Sequence, residues 1–161
     1  MTFHNLTSAE ITQGISEGSF SAIEVLQSSL DRIEATDTKV NAFTAKYVDR
    51  AREQAQLIDA LRASGASLPP LAGVPFAVKN LFHVQGQVTL AGSIVNRSHA
   101  AAKQDAFLIQ QMITAGAVLV GSLNMDEFAY GFTTETTHYG PCRNPHDTTR
   151  IAGGSSGGSA T

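Results

Sequence analysis

The sequence is poor in cysteine and has no long apolar run. Cys142 is the single cysteine, so no disulfide can form within the chain and nothing indicates secretion. No stretch reaches the roughly 20 apolar residues that a membrane-spanning helix requires. The first residues, MTFHNLTSAEI, lack the basic start and apolar run of a signal peptide. We therefore expect a soluble, cytoplasmic protein that does not enter a membrane.

Charge is also scarce, and it is nearly balanced. Charged residues make up 16% of the sequence, the net charge is -3 and no run of lysine or arginine occurs. This pattern argues against a nucleic-acid-binding surface. The hydrophobic content of 42% is enough for one globular domain with a core, which also argues against disorder. We find no internal repeat and no domain boundary.

The first third of the sequence has the pattern of helices. The capping-box patterns Thr7-x-x-Glu10 and Ser21-x-x-Glu24 each predict a helix start. Apolar residues recur at helical spacing after the second of them. A third helix is predicted over 48–63, followed by a loop over 63–70.

The middle of the sequence changes to apolar, strand-like segments. Strands are predicted over 41–47 (NAFTAKY), 71–80 (LAGVPFAVKN) and 117–123 (AVLVGSL). A helix over 105–115 separates the last two, with Asp105 as its N-cap and Gly116 as its end. Two apolar strands joined by a helix indicate a parallel pair covered on both faces, within an α/β fold. From residue 132 onwards the sequence is polar and rich in turns.

The tract GGSSGGS, residues 153–159, allows several interpretations. Its composition fits a linker. A phosphate-binding P-loop is disfavoured because no lysine follows the glycines, and a dinucleotide-binding loop because no good strand precedes them. The tract formally contains G-x-S-x-G, the nucleophile elbow of α/β-hydrolases, but that motif needs a buried strand before the serine. The lone Cys142 is a weak candidate nucleophile because no Cys-His motif accompanies it.

A more specific pattern pairs this tract with a second motif. GVPFAVK, residues 73–79, precedes GGSSGGS, and the long segment 121–159 leads up to that tract and includes it. Together these segments resemble the amidase signature family of serine amidohydrolases, over essentially the whole chain. The resemblance implies an α/β amidase-signature fold with a mixed β-sheet core covered by helices on both faces. It also implies that residues 1–161 are the N-terminal portion of a single domain, without its C-terminal part.

The resemblance implies roles for three residues. The family uses a Ser–cis-Ser–Lys triad, in which Lys79 corresponds to the base and Ser155, after a cis peptide bond, to the proton relay. Tyr130 corresponds to a residue lining the acyl pocket. The nucleophilic serine of the family follows the Gly/Ser tract, in a segment that would lie after Thr161. We therefore expect these 161 residues alone to be inactive.

Each of these residues also has a plain structural interpretation. Lys79 could extend to solvent from the end of a strand, Ser155 could cap a helix and Tyr130 could be a core aromatic. A catalytic Lys79 would have to be neutral, and its apolar neighbours Val78 and Leu81 would favour that state.

Other polar residues are less promising for chemistry. We expect Ser156 and Ser159 to cap the following helix. We expect Asp126 and Glu127 to be solvated or ion-paired rather than an acid/base pair. Arg143 and Arg150 could hold a substrate carboxylate or be structural. The histidines show no metal-ligand spacing, and we expect neither a metal nor a cofactor.

Within the family, two branches compete. The segments NMDEFAYGFTTE, HYGP and RNPHDT are most similar to the carboxybiuret hydrolases of cyanuric acid breakdown. The glutaminase subunits of tRNA-dependent amidotransferases come next. Both branches imply a small linear amide substrate, release of ammonia and a small helical, GatC-like partner subunit. Nucleic acid is an expected partner only in the second branch, and a non-catalytic amidase-like subunit is the alternative from a different class.

Overall fold

A computed structural model describes residues 3–161 of the chain. Five α-helices and three β-strands occur among these residues, together with three short 3-10 turns. The order along the chain is α1 (Ser8–Glu17), α2 (Ala22–Val40), β1 (Phe43–Lys46), α3 (Val48–Ala63), β2 (Pro75–Lys79), α4 (Phe107–Thr114), β3 (Val118–Leu123) and α5 (Gly157–Ala160). The predicted sequence of helices and strands is therefore confirmed.

Both predicted capping boxes are present. At the start of α1, the Thr7 hydroxyl accepts the Glu10 N–H, and the Glu10 carboxylate accepts the Thr7 N–H at 2.7 Å. The same two hydrogen bonds form before α2: the Glu24 carboxylate accepts the Ser21 N–H at 2.7 Å, and the Ser21 hydroxyl accepts the Glu24 N–H at 3.1 Å. Each box satisfies two backbone donors that would otherwise lack a partner at the helix start. No helix within 3–161 is long and apolar enough to cross a membrane.

The predicted start of α4 is wrong by two residues. The helix begins at Phe107, and the Asp105 carboxylate accepts the N–H of Gln85 at 2.8 Å instead of capping the helix. A backbone donor distant in sequence therefore competes successfully for this side chain. The predicted end is close to the observed one, since Gly116 follows the helix with a φ of +92°.

The three strands form a mixed sheet in the order β1-β3-β2. β1 runs antiparallel to β3, with Lys46 opposite Gly121. Hydrogen bonds join Val118 to Val74 near the start of the β2–β3 pair, and Asn80 to Leu123 near its end. Residue numbers increase in the same direction along both strands, so β2 and β3 are parallel, as the apolar segments predict.

The strands differ in burial. All six residues of β3 are buried, so both of its faces are covered. Every residue of β2 is only half-buried, and the strand spans five residues of the ten-residue apolar segment that predicted it. The residues before Pro75 form a turn in which Gly73 adopts a φ of +74°.

The Cα positions divide the chain into two compact units. One comprises residues 3–35, 47–76 and 110–120, and its core includes Ile15, Leu26 and Leu119. The other comprises residues 36–46, 77–109 and 121–161, and it buries Met125 together with the polar Asn124 and Asp126. The organisation of the chain as part of one amidase domain stays a prediction. The residues discussed below as a candidate site all belong to the second unit.

Candidate active site

The structure brings Lys79 and Ser155 together, although 76 positions separate them in the sequence. Lys79 is the last residue of β2, and its Nζ lies 2.7 Å from Ser155 Oγ. The strand fixes the lysine because Asn80, the next residue, donates its N–H to the Leu123 carbonyl at 3.0 Å. The Lys79 side chain is therefore directed to a serine hydroxyl rather than extended alone into solvent.

Desolvation lowers the pKa of Lys79 below its ordinary value. Partial burial disfavours the charged ammonium, and the negative charge of Asp126 opposes this effect without cancelling it. The net shift makes the neutral amine more accessible than in an ordinary lysine, and the lone pair of that neutral form can accept the proton of the Ser155 hydroxyl. The pair therefore has the geometry and the electrostatic direction of a base and its first proton donor.

The Gly/Ser tract makes a tight turn around Ser155. The peptide bond between Gly154 and Ser155 is cis, the form that the family resemblance implies. A Cβ on Gly154 would overlap Asp126 Oδ2 and would lie 2.7 Å from the Thr133 nitrogen. A side chain therefore has no room at this position, which explains why a glycine precedes the serine. The tract is an ordered turn in contact with its surroundings, not a linker.

Asp126 packs against this turn and is fully buried. Its Oδ2 accepts the N–H of Thr134 at 3.0 Å, and its Oδ1 accepts the hydroxyl of Thr136 at 2.8 Å. Its own N–H donates to the Ser155 carbonyl at 3.1 Å. Asp126 is thus a buried, hydrogen-bonded carboxyl group, so the expectation that it is solvated is wrong.

Thr134 completes the support of the turn, and sequence reasoning missed it. Its side chain is fully buried; Oγ1 donates to the Gly153 carbonyl at 2.9 Å and accepts the Gly157 N–H at 3.0 Å. Helix α5 begins at Gly157, inside the tract rather than after it, and Ser156 makes no side-chain bond at its start. Ser159 lies within this helix, so neither serine caps it as expected. Thr134 supplies that cap from a distant loop, which no local pattern around Ser156 could indicate.

Tyr130 is not a core aromatic in the described part of the chain. The residue is 91% exposed, and it follows a short 3-10 turn, Glu127–Ala129. Phe128 and Phe132, two positions away on either side, are also exposed, at 57% and 87%. The segment therefore presents three aromatic side chains close in sequence to the buried Asp126.

Glu127 has partners of its own, beside but separate from Asp126. Its Oε1 accepts the hydroxyl of Ser93 at 2.6 Å and lies 3.2 Å from His138 Nε2. These two bonds lower the pKa of Glu127, the Ser93 bond most, although partial desolvation opposes them. Glu127 is therefore hydrogen-bonded and favours its charged form, which suits a structural role better than a proton donor.

The remaining candidates are unsuited to chemistry. Arg150 pairs with Asp147 at 2.9 Å on the surface. Cys142 is fully buried, and burial raises the pKa of its thiol, which disfavours the reactive thiolate. Among residues 3–161, no group of three or more histidine, cysteine, aspartate or glutamate side chains is arranged to hold a metal ion.

Comparison with known proteins places this geometry in a family. The model of the amidase family matches residues 24–161, so the chain belongs to the amidase family. This result confirms the family, and with it the α/β amidase-signature fold, that the motifs around Lys79 and Ser155 indicate.

Individual relatives refine the family assignment. The chain is 60% identical to the 1-carboxybiuret hydrolase subunit AtzE of Pseudomonas sp. (strain ADP), over 96% of this chain and 34% of that protein. It is 44% identical to a glutamyl-tRNA(Gln) amidotransferase subunit of Thermobifida fusca (strain YX), over 96% of this chain and 31% of that protein. The chain thus spans about a third of the length of the curated relatives it matches.

A solved structure is also similar to this chain. It belongs to a vestigial protein complex described as revealing the evolutionary origins of an s-triazine catabolic enzyme. The chain aligns with it at a TM-score of 0.94 and 60% identity, over 96% of this chain and 34% of that one. Both branches predicted from the sequence segments therefore occur among the relatives, with the carboxybiuret hydrolase more similar than the amidotransferase protein.

Proposed function

We propose that the protein of which residues 1–161 form the N-terminal portion is an amidohydrolase. In this proposal it hydrolyses the C–N bond of a linear amide through a Ser–cis-Ser–Lys triad. The observation that carries the proposal is the 2.7 Å contact between Lys79 Nζ and Ser155 Oγ. It joins the two residues that match the family's base and relay. The third member, the nucleophilic serine, would lie after Thr161, so residues 1–161 alone are expected to be inactive.

The proposed mechanism begins with proton transfer. The neutral Lys79 amine accepts the Ser155 hydroxyl proton while Ser155 Oγ takes the proton of the nucleophilic serine. The serine oxygen forms a bond to the amide carbon, and the C–N bond breaks as the proton returns through Ser155 to the leaving nitrogen. Ammonia departs and an acyl ester remains. Water then attacks the ester carbon, delivers one proton through the same relay to the serine oxygen, and releases the acid.

The proposed substrate is 1-carboxybiuret. The 60% identity to AtzE supports this choice over other amides. We further propose that Tyr130 binds the acyl part of the substrate, because it matches the position that lines the acyl pocket in the family and its ring is exposed within the described residues. Replacing Tyr130 by Ala should raise KM about tenfold with a smaller change in kcat, as expected for a contact made equally in the ground and transition states. An unchanged KM would contradict this role.

The second candidate function is that of a glutaminase subunit in a tRNA-dependent amidotransferase. The 44% identity to the Thermobifida fusca protein supports it. In either case we propose a small helical, GatC-like partner, because AtzE is described as one subunit of a hydrolase and a solved structure 60% identical to this chain as part of a complex. RNA is a proposed partner only for the glutaminase. The cytoplasmic location and the absence of a cofactor stay predictions from the sequence.

An ammonia-release assay separates these functions. The complete protein is purified and supplied with 1-carboxybiuret or with glutamine, and ammonia is measured. Hydrolysis of carboxybiuret supports the proposal, and hydrolysis of glutamine alone favours the second candidate. No ammonia from either substrate favours a non-catalytic subunit.

Two serine variants connect the activity to the site. Ser155→Ala should abolish ammonia release, whereas Ser159→Ala, an exposed serine in the same tract, should leave it near the wild-type rate. Equal activity of both variants would contradict the relay role of Ser155.

A further inference from the structure

We propose that Asp126 is a positioning residue for the Lys79–Ser155 pair, because its hydrogen bonds hold the turn that contains Ser155. This inference rests on the proposed function of that pair and adds a residue to its machinery. Asp126 is three positions after the end of β3 and is fully buried. Asp126 lies outside β3, and its carboxylate bonds to the loop of residues 133–136 rather than to the strand.

The backbone of Asp126 supports Ser155 directly. Its N–H donates to the Ser155 carbonyl at 3.1 Å. Because Met125 is also fully buried, this donor is attached to a segment with little freedom to move. The carbonyl of Ser155 is thereby fixed on the side of the turn that faces Asp126, which limits the positions that Oγ can adopt relative to Lys79.

The Asp126 carboxylate supports the same turn through the loop of residues 133–136. It accepts the Thr134 N–H and the Thr136 hydroxyl, at 3.0 and 2.8 Å. Thr134 in turn bonds to Gly153 on one side of Ser155 and to Gly157 on the other. Asp126 therefore reaches both ends of the Ser155 turn through a single threonine.

The Asp126 carboxyl group is closely packed against the backbone of two glycines. A Cβ on Gly154 would overlap Asp126 Oδ2, and a Cβ on Gly131 would overlap the Asp126 carboxyl carbon. Two glycines thus make room for one carboxylate. A change at Asp126 should shift the turn because the carboxylate is enclosed by backbone on two sides.

The charge of Asp126 also acts on Lys79. Its field stabilises the lysine ammonium and raises the Lys79 pKa, against the larger lowering by desolvation. Among the charged groups of residues 3–161, Asp126 is the one whose charge shifts the pKa of Lys79. The next carboxylate along the chain, Glu127, bonds to Ser93 and His138. Removing the charge should lower the pKa of Lys79 further. A base with a lower pKa is neutral at lower pH, so the acidic limb of the rate profile should move to lower pH.

The experiment measures kcat and KM against pH for the complete protein and four variants. Asp126→Asn keeps the shape and removes the charge, so we expect the acidic limb of kcat/KM to move to lower pH. Asp126→Ala also removes the support and should lower kcat at least about tenfold, with a smaller change in KM. Glu135→Gln is the matched control, because it removes an exposed carboxylate close by in sequence, and it should match wild type.

The fourth variant separates position from charge. Thr136→Val removes one hydrogen bond to Asp126 but leaves the carboxylate charged, so kcat should fall severalfold while the acidic limb stays in place. An Asp126→Asn profile that coincides with wild type would overturn the electrostatic part of the inference. A wild-type kcat in Thr136→Val would overturn the positioning role of Asp126. If Asp126→Ala does not fold, Thr136→Val alone tests that role.

Two further variants distinguish failure of this inference from failure of the proposed function. Lys79→Ala and Ser155→Ala are measured in the same assay. If both retain wild-type activity, the proposed function itself is wrong. If both lose activity while the Asp126 and Thr136 variants behave as wild type, the function stands and Asp126 has no positioning role.

Discussion

At the scale of single residues, the candidate site combines two side chains that a sequence can identify with two that it cannot. Lys79 and Ser155 each lie in a motif, and the family resemblance pairs them before any distance is known. Asp126 and Thr134 lie in the segment NMDEFAYGFTTE, which indicates the family but assigns neither residue a role. Their roles depend on contacts with Ser155, Gly153 and Gly157 that only the folded chain creates. The one sequence signal for Asp126 is the position of a polar side chain three residues after an apolar strand.

Thr134 provides a test of this support through stability. Thr134→Val preserves the side-chain shape but leaves the Gly153 carbonyl and the Gly157 N–H without their partner. An unsatisfied buried backbone group costs about 1–3 kcal/mol, so the free energy of unfolding should fall by about 2 kcal/mol or more. Chemical denaturation of the complete protein measures it. Thr114→Val, at an exposed threonine, serves as control and should change it little; equal losses in both variants would refute the role of Thr134.

At the scale of secondary-structure elements, local patterns succeed where the relevant contacts are local. Both capping boxes pair residues three positions apart, and both form as predicted. The start of α4 is mispredicted because the Asp105 carboxylate bonds to Gln85, 20 positions earlier. Likewise, α5 is capped by Thr134 rather than by Ser156. Local rules therefore fail where a partner distant in sequence competes for the same hydrogen bond.

The capping box of α2 should contribute measurably to stability. Ser21→Ala removes the acceptor for the Glu24 N–H and should lower the free energy of unfolding by about 1 kcal/mol. Ser28→Ala is the control; it lies inside the same helix, where alanine is favourable, and it should be neutral or slightly stabilising. If Ser21→Ala and Ser28→Ala have the same stability, the box makes no contribution.

The same box should make stability depend on pH. Hydrogen bonds from the Ser21 N–H and hydroxyl lower the pKa of Glu24 below its ordinary value of 4.5. A lowered folded-state pKa means that this contribution is complete above pH 4.5 and is lost as the pH falls through the folded-state value. Glu24→Gln should therefore flatten the dependence of unfolding free energy on pH in the acidic range. A slope identical to wild type would contradict this assignment.

Two glycines separate the effects of backbone conformation and close packing. Gly65 and Gly116 both have positive φ, but a Cβ on Gly65 meets nothing within 4 Å, whereas one on Gly116 would lie 2.5 Å from Pro69 Cγ. Gly65→Ala should cost about 1 kcal/mol from backbone conformation alone. Gly116→Ala should cost about 1–3 kcal/mol more because of overlap with the turn. Thermal or chemical denaturation measures both, and equal losses would show that packing at Gly116 is not limiting.

At the scale of the whole molecule, family membership is clear and activity is a proposal. The amidase family and its fold follow from the match over residues 24–161. The proposed activity requires a nucleophilic serine that the proposal locates after Thr161, and the proposed role of Tyr130 in binding substrate stays a prediction. The sequence segments between residues 121 and 159 favour the carboxybiuret branch, and over 96% of the chain the 60% identity to AtzE exceeds the 44% identity to the amidotransferase protein.

The most direct test of the proposed chemistry concerns Lys79 as the base. The rate of ammonia release from 1-carboxybiuret is measured for the complete protein, for Lys79→Ala and for Lys46→Ala, which replaces an exposed lysine at the end of β1. Loss of a general base typically costs about 10²–10⁴-fold, so we predict a fall in kcat/KM of that size for Lys79→Ala and wild-type behaviour for Lys46→Ala. A Lys79→Ala protein with wild-type kcat/KM would contradict the assignment of Lys79 as the base.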